Sequence, residues 1–209
     1  MPREPQGSEE FIAEQKRILK QHEECATAAY NLGVAMMQQN RLAEAREHFE
    51  KAIETGSRMF EAYVNLGYIH FKEGDVEMVA EVNRKAVELE PRYARGYANL
   101  GFAYLQMART GEAIEALEKA LKLNPEIVQA WNNLANAHLQ QGDADKAIEA
   151  GERLVALAPD FGLGHNNLAV AYYHKGNFPK ALEHADIAAG QGFALHPEFV
   201  KILDTYRQE

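Results

Sequence analysis

Polar and apolar residues alternate along this chain with the period of a helix. Near the start, Phe11, Ile12, Ile18 and Leu19 fall at i, i+1, i+7 and i+8, one face of a helix running from Ser8 to about Cys25. Ser8 suits its N-cap, and Glu9 and Glu10 suit its first turn. Near the end, Phe199, Ile202, Leu203 and Tyr206 form one apolar stripe, with Pro197 in the first turn, where proline is tolerated. Between these helices a longer period is superimposed. The group Asn-Leu-(Gly or Ala) occurs at Asn31-Leu32-Gly33, Asn65-Leu66-Gly67, Asn99-Leu100-Gly101, Asn133-Leu134-Ala135 and Asn167-Leu168-Ala169. The step from each copy to the next is constant, and Pro91, Pro125 and Pro159 keep it. A fixed 34-residue period predicts stacked helix-turn-helix units, each packing only on its neighbours.

Within each unit a first helix, A, carries the Asn-Leu-Gly group and a second, B, follows a short turn. Asn40, Gly74, Gly142 and Gly176 mark four of the turns, because Asn and Gly tolerate the left-handed backbone that ends a helix. The third unit has Ala108 there. Gly33, Gly67, Gly101, Ala135 and Ala169 are small where helix A must approach helix B, with Ala45, Val79, Ala113, Ala147 and Ala181 expected to face them. Tyr63, Tyr97, Tyr104, Trp131 and Tyr172 are expected to fill the space between layers.

The spacing and the small residues are those of the tetratricopeptide repeat (TPR) family, which this chain resembles from Ala26 to Leu195, about four fifths of its length. The resemblance implies an all-α, right-handed superhelix, an α-solenoid of antiparallel helix pairs with terminal capping helices. Its parts would be a disordered tail at 1–7, an N-terminal helix at 8–25 and five repeats over 26–195. The repeats divide as 26–59, 60–93, 94–127, 128–161 and 162–195, and a C-terminal capping helix follows at 196–209. The N-terminal helix is expected either to cover the open end of the array or to act as a detachable arm. Two repeats depart from the family pattern. Asn83 stands where a large apolar residue is expected and must be exposed or hydrogen-bonded. Gly151 stands at the same site of the fourth repeat, three residues from a Leu154 that replaces alanine, so the two could exchange volume.

In the family, helix A lines a concave groove. Carried over, the groove positions include Tyr30, Tyr68, Phe71 and Phe102, apolar anchors of the first three repeats, and Asn132, Asn136 and Asn166 in the last two. Asn31, Asn65, Asn99, Asn133 and Asn167 recur at one groove position in all five repeats. An amide both donates and accepts, as an extended peptide backbone requires. The row resembles the asparagine ladder of the TPR superhelix in O-GlcNAc transferases; the alternative is that each asparagine serves a local or neighbour-helix bond. The carboxylate clamp of chaperone cochaperones is disfavoured, because Tyr30, Val34 and Ala98 stand where polar or basic residues would be sought.

Charge sharpens this picture. The chain of 209 residues carries 22 basic and 31 acidic residues, a net −9, which argues against a nucleic-acid partner. Groove positions hold only Glu61, Lys72 and Arg95, a net +1, which leaves −10 to the rest of the chain. No phosphate loop, HExxH or G-x-S-x-G pattern is present, so no enzyme activity and no cofactor are expected. His22 and Cys25 are too few for a structural zinc, which takes four ligands, and no metal is expected. His70 and His138 replace the family's tyrosine, as packing residues. One cysteine, and no apolar run of signal-peptide or membrane-span length, point to a soluble cytoplasmic protein. The expected function is non-catalytic: an adaptor or assembly scaffold that binds an extended protein segment in the concave groove. The alternative is a self-associating scaffold, a homo-oligomer built through the groove or the terminal helices.

Overall fold

The computed structural model describes residues 8–207, and among them it has twelve α-helices and no strand. The expected disordered tail at 1–7 lies outside the described residues. The helices are α1 Glu9–Gln21, α2 Ala26–Gln38, α3 Leu42–Thr55, α4 Phe60–Glu73, α5 Val76–Leu89, α6 Ala94–Gln106, α7 Thr110–Leu123, α8 Val128–Gln141, α9 Ala144–Leu157, α10 Gly162–His174, α11 Phe178–Gly190 and α12 Pro197–Asp204. The N-terminal helix is thus shorter than the 8–25 expected, closing at Gln21 before a turn. The chain forms two compact units, Met1–Asn99 and Leu100–Glu209.

Local chemistry sets the helix ends. The Ser8 hydroxyl accepts from Phe11 N at 3.1 Å, and Glu9 and Glu10 sit in the first turn of α1. Asp75, Asp143 and Asn177 cap α5, α9 and α11 by accepting from the backbone three residues on. At the same step α3 and α7 have Arg41 and Arg109, which instead pair with Glu44 and Glu112 in the first turn. The A helices turn through a left-handed residue: Asn40, Gly74, Ala108, Gly142 and Gly176 all have positive φ. Ala108 adopts φ +56° without the freedom of glycine, a conformation that costs about 1–2 kcal/mol.

In the first unit the core is built from Ile12, Leu32, Met36, Phe49, Leu66, Ile69 and Val82. The side chain nearest the small position of helix A lies one turn further along helix B than the residues that the sequence pattern suggests. A Cβ on Gly33 would lie 2.6 Å from Phe49 Cδ1, and one on Gly67 would lie 2.6 Å from Asn83 Nδ2. In the second unit a Cβ on Gly101 would meet Leu117 in the same way, at 2.8 Å from Cδ2. Glycine therefore admits Phe49, Asn83 or Leu117, and at Gly101 the expected Ala113 is also close, its carbonyl oxygen 3.2 Å from the Cβ site.

Two departures from the family pattern resolve here. Asn83 is fully buried, donates to Val79 O at 2.8 Å and accepts from Asn99 Nδ2 at 3.0 Å, so its amide is satisfied. Gly151 and Leu154 do not exchange volume with each other. Gly151 admits Leu168 of α10, whose Cδ2 lies 2.7 Å from the Cβ site, and Leu154 is admitted by Gly164, at the same distance. The compensation runs between helices because positions 151 and 154 of α9 both face α10.

Candidate functional site

The first unit presents the A-helix face of α2 and α4. Tyr68 and Phe71 stand on one side of α4 and are 46% and 49% exposed. They are three residues apart, close neighbours on a helix surface. The Lys72 ammonium lies 5.5 Å from the Tyr68 ring centre, a cation–π distance. Tyr30 behaves differently. Its ring packs against Phe49 at 5.8 Å, its hydroxyl accepts from Asn65 Nδ2 at 3.4 Å, and burial pushes its phenol above the usual range. The two other asparagines of this unit also donate inward. Asn31 Nδ2 donates to Gln15 Oε1 at 3.1 Å and Asn99 Nδ2 to Asn83 Oδ1 at 3.0 Å.

In the second unit the corresponding face of α8 and α10 is made of amides. Asn167 Nδ2 donates to Asn132 Oδ1 at 3.0 Å, and Asn132 is itself buried. Asn133, Asn136 and Asn166 are half-buried and make no side-chain hydrogen bond among the described residues. Phe102 is half-buried.

One rule covers the recurring asparagine. It donates to the residue 35 earlier when that residue has an acceptor, as Tyr30 and Asn132 do. Otherwise it donates to the residue 16 earlier, if that is an amide, as Gln15 and Asn83 are. Asn133 has Ala98 and Leu117 at those two steps, neither with an acceptor. Its whole amide is uncommitted, whereas each of the other four has committed one N–H and keeps its oxygen. Gln15 is outside the residues the sequence pattern marks, and its signal is its register, one repeat before Phe49 and two before Asn83.

A second polar cluster, also unforeseen, joins α9, α10 and α11. The Tyr172 hydroxyl donates to Glu152 Oε1 at 2.6 Å and accepts from Lys180 Nζ at 3.1 Å. His184 stacks on the Tyr172 ring at 5.6 Å. His165 Nε2 lies 3.0 Å from Pro159 O, so it carries the proton there. Its Nδ1 then accepts from His184 Nδ1–H at 2.9 Å. Burial, and then His165, hold His184 below the usual imidazole range. The cluster fixes protons in hydrogen bonds and contains no activated nucleophile. Among the described residues no three His, Cys, Asp or Glu side chains gather as metal ligands, and no helix is long and apolar enough to cross a membrane.

Comparison with known proteins agrees with this architecture. The tetratricopeptide repeat family matches residues 15–59, 37–94, 98–161 and 152–194. A crystal structure of MamA is similar at 25% identity and a TM-score of 0.72, over 77% of this chain and 94% of that one. YrrB, described as a TPR protein with an unusual peptide-binding site, is 21% identical with a TM-score of 0.76, over 85% of this chain and 91% of its own. PilF of Pseudomonas aeruginosa is 24% identical with a TM-score of 0.70, over 85% and 80%. No curated protein matches the chain.

Proposed function

The chain belongs to the tetratricopeptide repeat family, and from that premise we propose that it is a non-catalytic protein-interaction module whose A-helix faces bind extended segments of other proteins. The exposed pair Tyr68 and Phe71 beside Asn65 carries this reading. Each ring, about half exposed, would contribute about 0.7–1.5 kcal/mol if a ligand buried the remainder, and the neighbouring amide would hold a peptide group for about 0.5–1.5 kcal/mol. The rings select sequence and the amides hold backbone. In the second unit the amide role falls first to Asn133, whose donors and acceptor are all uncommitted. The peptide-binding site of YrrB lends the reading support by analogy of fold. We place the protein in the cytoplasm, on the support of its one cysteine, Cys25, which is unpaired.

The test is selection of binding peptides from a random display library, followed by calorimetry. Replacing both rings, Tyr68→Ser with Phe71→Ser, should weaken the selected peptides about 10- to 100-fold and relax their sequence preference. Asn133→Ala should weaken unrelated peptides alike, by about 2- to 12-fold. If neither change moves affinity, these faces are not the binding surface. If the mass rises with concentration in the absence of peptide and the double ring variant abolishes that rise, the same face serves self-association instead.

A further inference from the structure

The phenol of Tyr172 is held between Glu152 on α9 and Lys180 on α11. One repeat length earlier, these three positions are His138 on α8, Glu118 on α7 and Lys146 on α9. The acid and the ammonium that hold a phenolic hydroxyl recur, but an imidazole replaces the phenol. An imidazole is the shorter group by about a ring carbon and a C–O bond. At that place a cleft of about 400 Å³ opens between α7, α8 and α9, lined by His138, Glu118 and Lys146 together with Trp131, Leu121 and Leu134. His138 does not take over the missing contacts. It is 4% exposed, and its buried Nδ1 has no hydrogen-bond partner. The tautomer that leaves no N–H stranded puts its proton on Nε2. Lysine and glutamate side chains are balanced around the cleft, with Lys122 and Lys146 against Glu118 and Glu149, so it selects neither an anion nor a cation. The second repeat also has a histidine here, His70, but its register partners are Glu50 and Met78, which lack the ammonium.

We propose that this cleft receives a tyrosine side chain of a partner protein. The ring lies against Trp131 and Leu121, and the hydroxyl donates to Glu118 and accepts from Lys146. The partner's hydroxyl takes the place that the Tyr172 hydroxyl occupies one repeat later, and its ring fills the cleft beside the His138 imidazole, which already stands where the Tyr172 ring does. The site lies between the A helix α8 and the B helices α7 and α9, and none of its lining residues is a groove position.

Trp131 is the single tryptophan, and its indole N–H donates to Pro125 O at 2.8 Å, so its resonance reports on the cleft wall. The full chain is titrated by NMR with N-acetyl-tyrosinamide, N-acetyl-phenylalaninamide and p-cresol. The expected result is a saturating shift of the Trp131 indole resonance with tyrosinamide, half-complete at concentrations on the order of millimolar. Phenylalaninamide should bind about 2- to 12-fold more weakly, the worth of a net hydrogen bond. Glu118→Gln with Lys146→Met should bring the two amides to the same affinity. His138→Tyr should abolish the shift while the amide spectrum away from the cleft stays superimposable, and His138→Phe, which fills the space without a hydroxyl, should do the same. Equal binding of both amides by the parent, no shift with tyrosinamide, or a shift surviving in both filled variants would overturn the proposal. A response to p-cresol alone would overturn the assignment to a protein side chain and leave a site for a free phenol.

Discussion

Replacing Gly101 by alanine tests whether inter-helix size matching holds each repeat together. The added methyl would lie 2.8 Å from Leu117 Cδ2 and 3.2 Å from the Ala113 carbonyl oxygen, and Leu117 is fully buried. Overpacking of this kind costs about 1–3 kcal/mol. Alanine recovers about 1 kcal/mol of that through helix propensity, so the net loss is about 0–2 kcal/mol. Leu117→Ala alone opens a cavity and should cost about 2–5 kcal/mol. The double variant has no clash, and the new methyl occupies part of the vacated space. It recreates the combination at the same register of the fifth repeat, Ala169 with Ala185. The second substitution, harmful or neutral alone, should therefore stabilise the Leu117→Ala background, with a coupling of about 2 kcal/mol, the size of the clash relieved. Urea denaturation followed by circular dichroism, with hydrogen exchange of the α7 and α8 amides, measures all four corners of the cycle. Additivity within about 0.5 kcal/mol would mean that Gly101 and Leu117 do not share the space assigned to them.

Two further outcomes follow from the turns and the histidines. Ala108→Gly should raise the urea midpoint by the equivalent of about 0.5–1 kcal/mol, since relief of the left-handed backbone exceeds the added entropy of the unfolded chain; a lower midpoint would show that the turn is unstrained. Burial holds His48, His138 and His184 below their ordinary values, so each is neutral in the fold and takes up its proton more readily when unfolded. Stability is then complete above the unfolded value of about 6.5 and falls as pH drops below it. His184→Gln should flatten that fall between pH 7.5 and 5.5, and a parent profile already flat over this range would refute the neutral-histidine reading.

The repeat and the helix pairs were legible in the sequence because a helix contact needs small residues at fixed intervals, and those intervals survive as a 34-residue period. The facing partner was not legible. The repeat pattern sets Gly67 against Val79, in the alanine register of helix B, whereas the side chain nearest its Cβ site is Asn83, one turn on. The hydrogen bonds of the five asparagines were legible only as capacity. Where each donates depends on residues 35 and 16 positions back, and these vary between Tyr, Val, Ala and Asn, and between Gln, Phe, Asn, Leu and Gly. Tyr30 and Tyr68 read as equivalent aromatics, yet the first is half-buried against Phe49 and the core while the second stands exposed. Exposure is a property of neighbours, and the sequence of one helix does not carry it.

The two ends of the described array obey the same size logic in reverse. Helix α1, Glu9–Gln21, lies one repeat length before the B helix α3. It behaves as a B helix, sending Ile12 into the first core and Gln15 to Asn31. Phe11 stands in the register of the small residues Ala45, Ala113 and Ala147. At the other end α12 has the register of an A helix, and Leu203 stands where the interior repeats have Gly or Ala. Large residues are admitted at both places because no partner helix among the described residues closes on them. Leu203 is nonetheless 2% exposed, in the same cluster as Leu168, Tyr172 and Ala181. Around it Phe178 stacks on Tyr206 at 3.7 Å, Tyr173 meets Phe199 edge-on at 5.8 Å, and Arg207 pairs with Asp186. Such a side chain is worth about 2–5 kcal/mol on truncation to alanine. Leu203→Ala should therefore destabilise the second unit by that amount and speed hydrogen exchange in α10 and α11, although it lies in a two-turn terminal helix. An unchanged urea midpoint, with the α12 amides exchanging as freely as an unstructured peptide, would mean that α12 does not close the second unit.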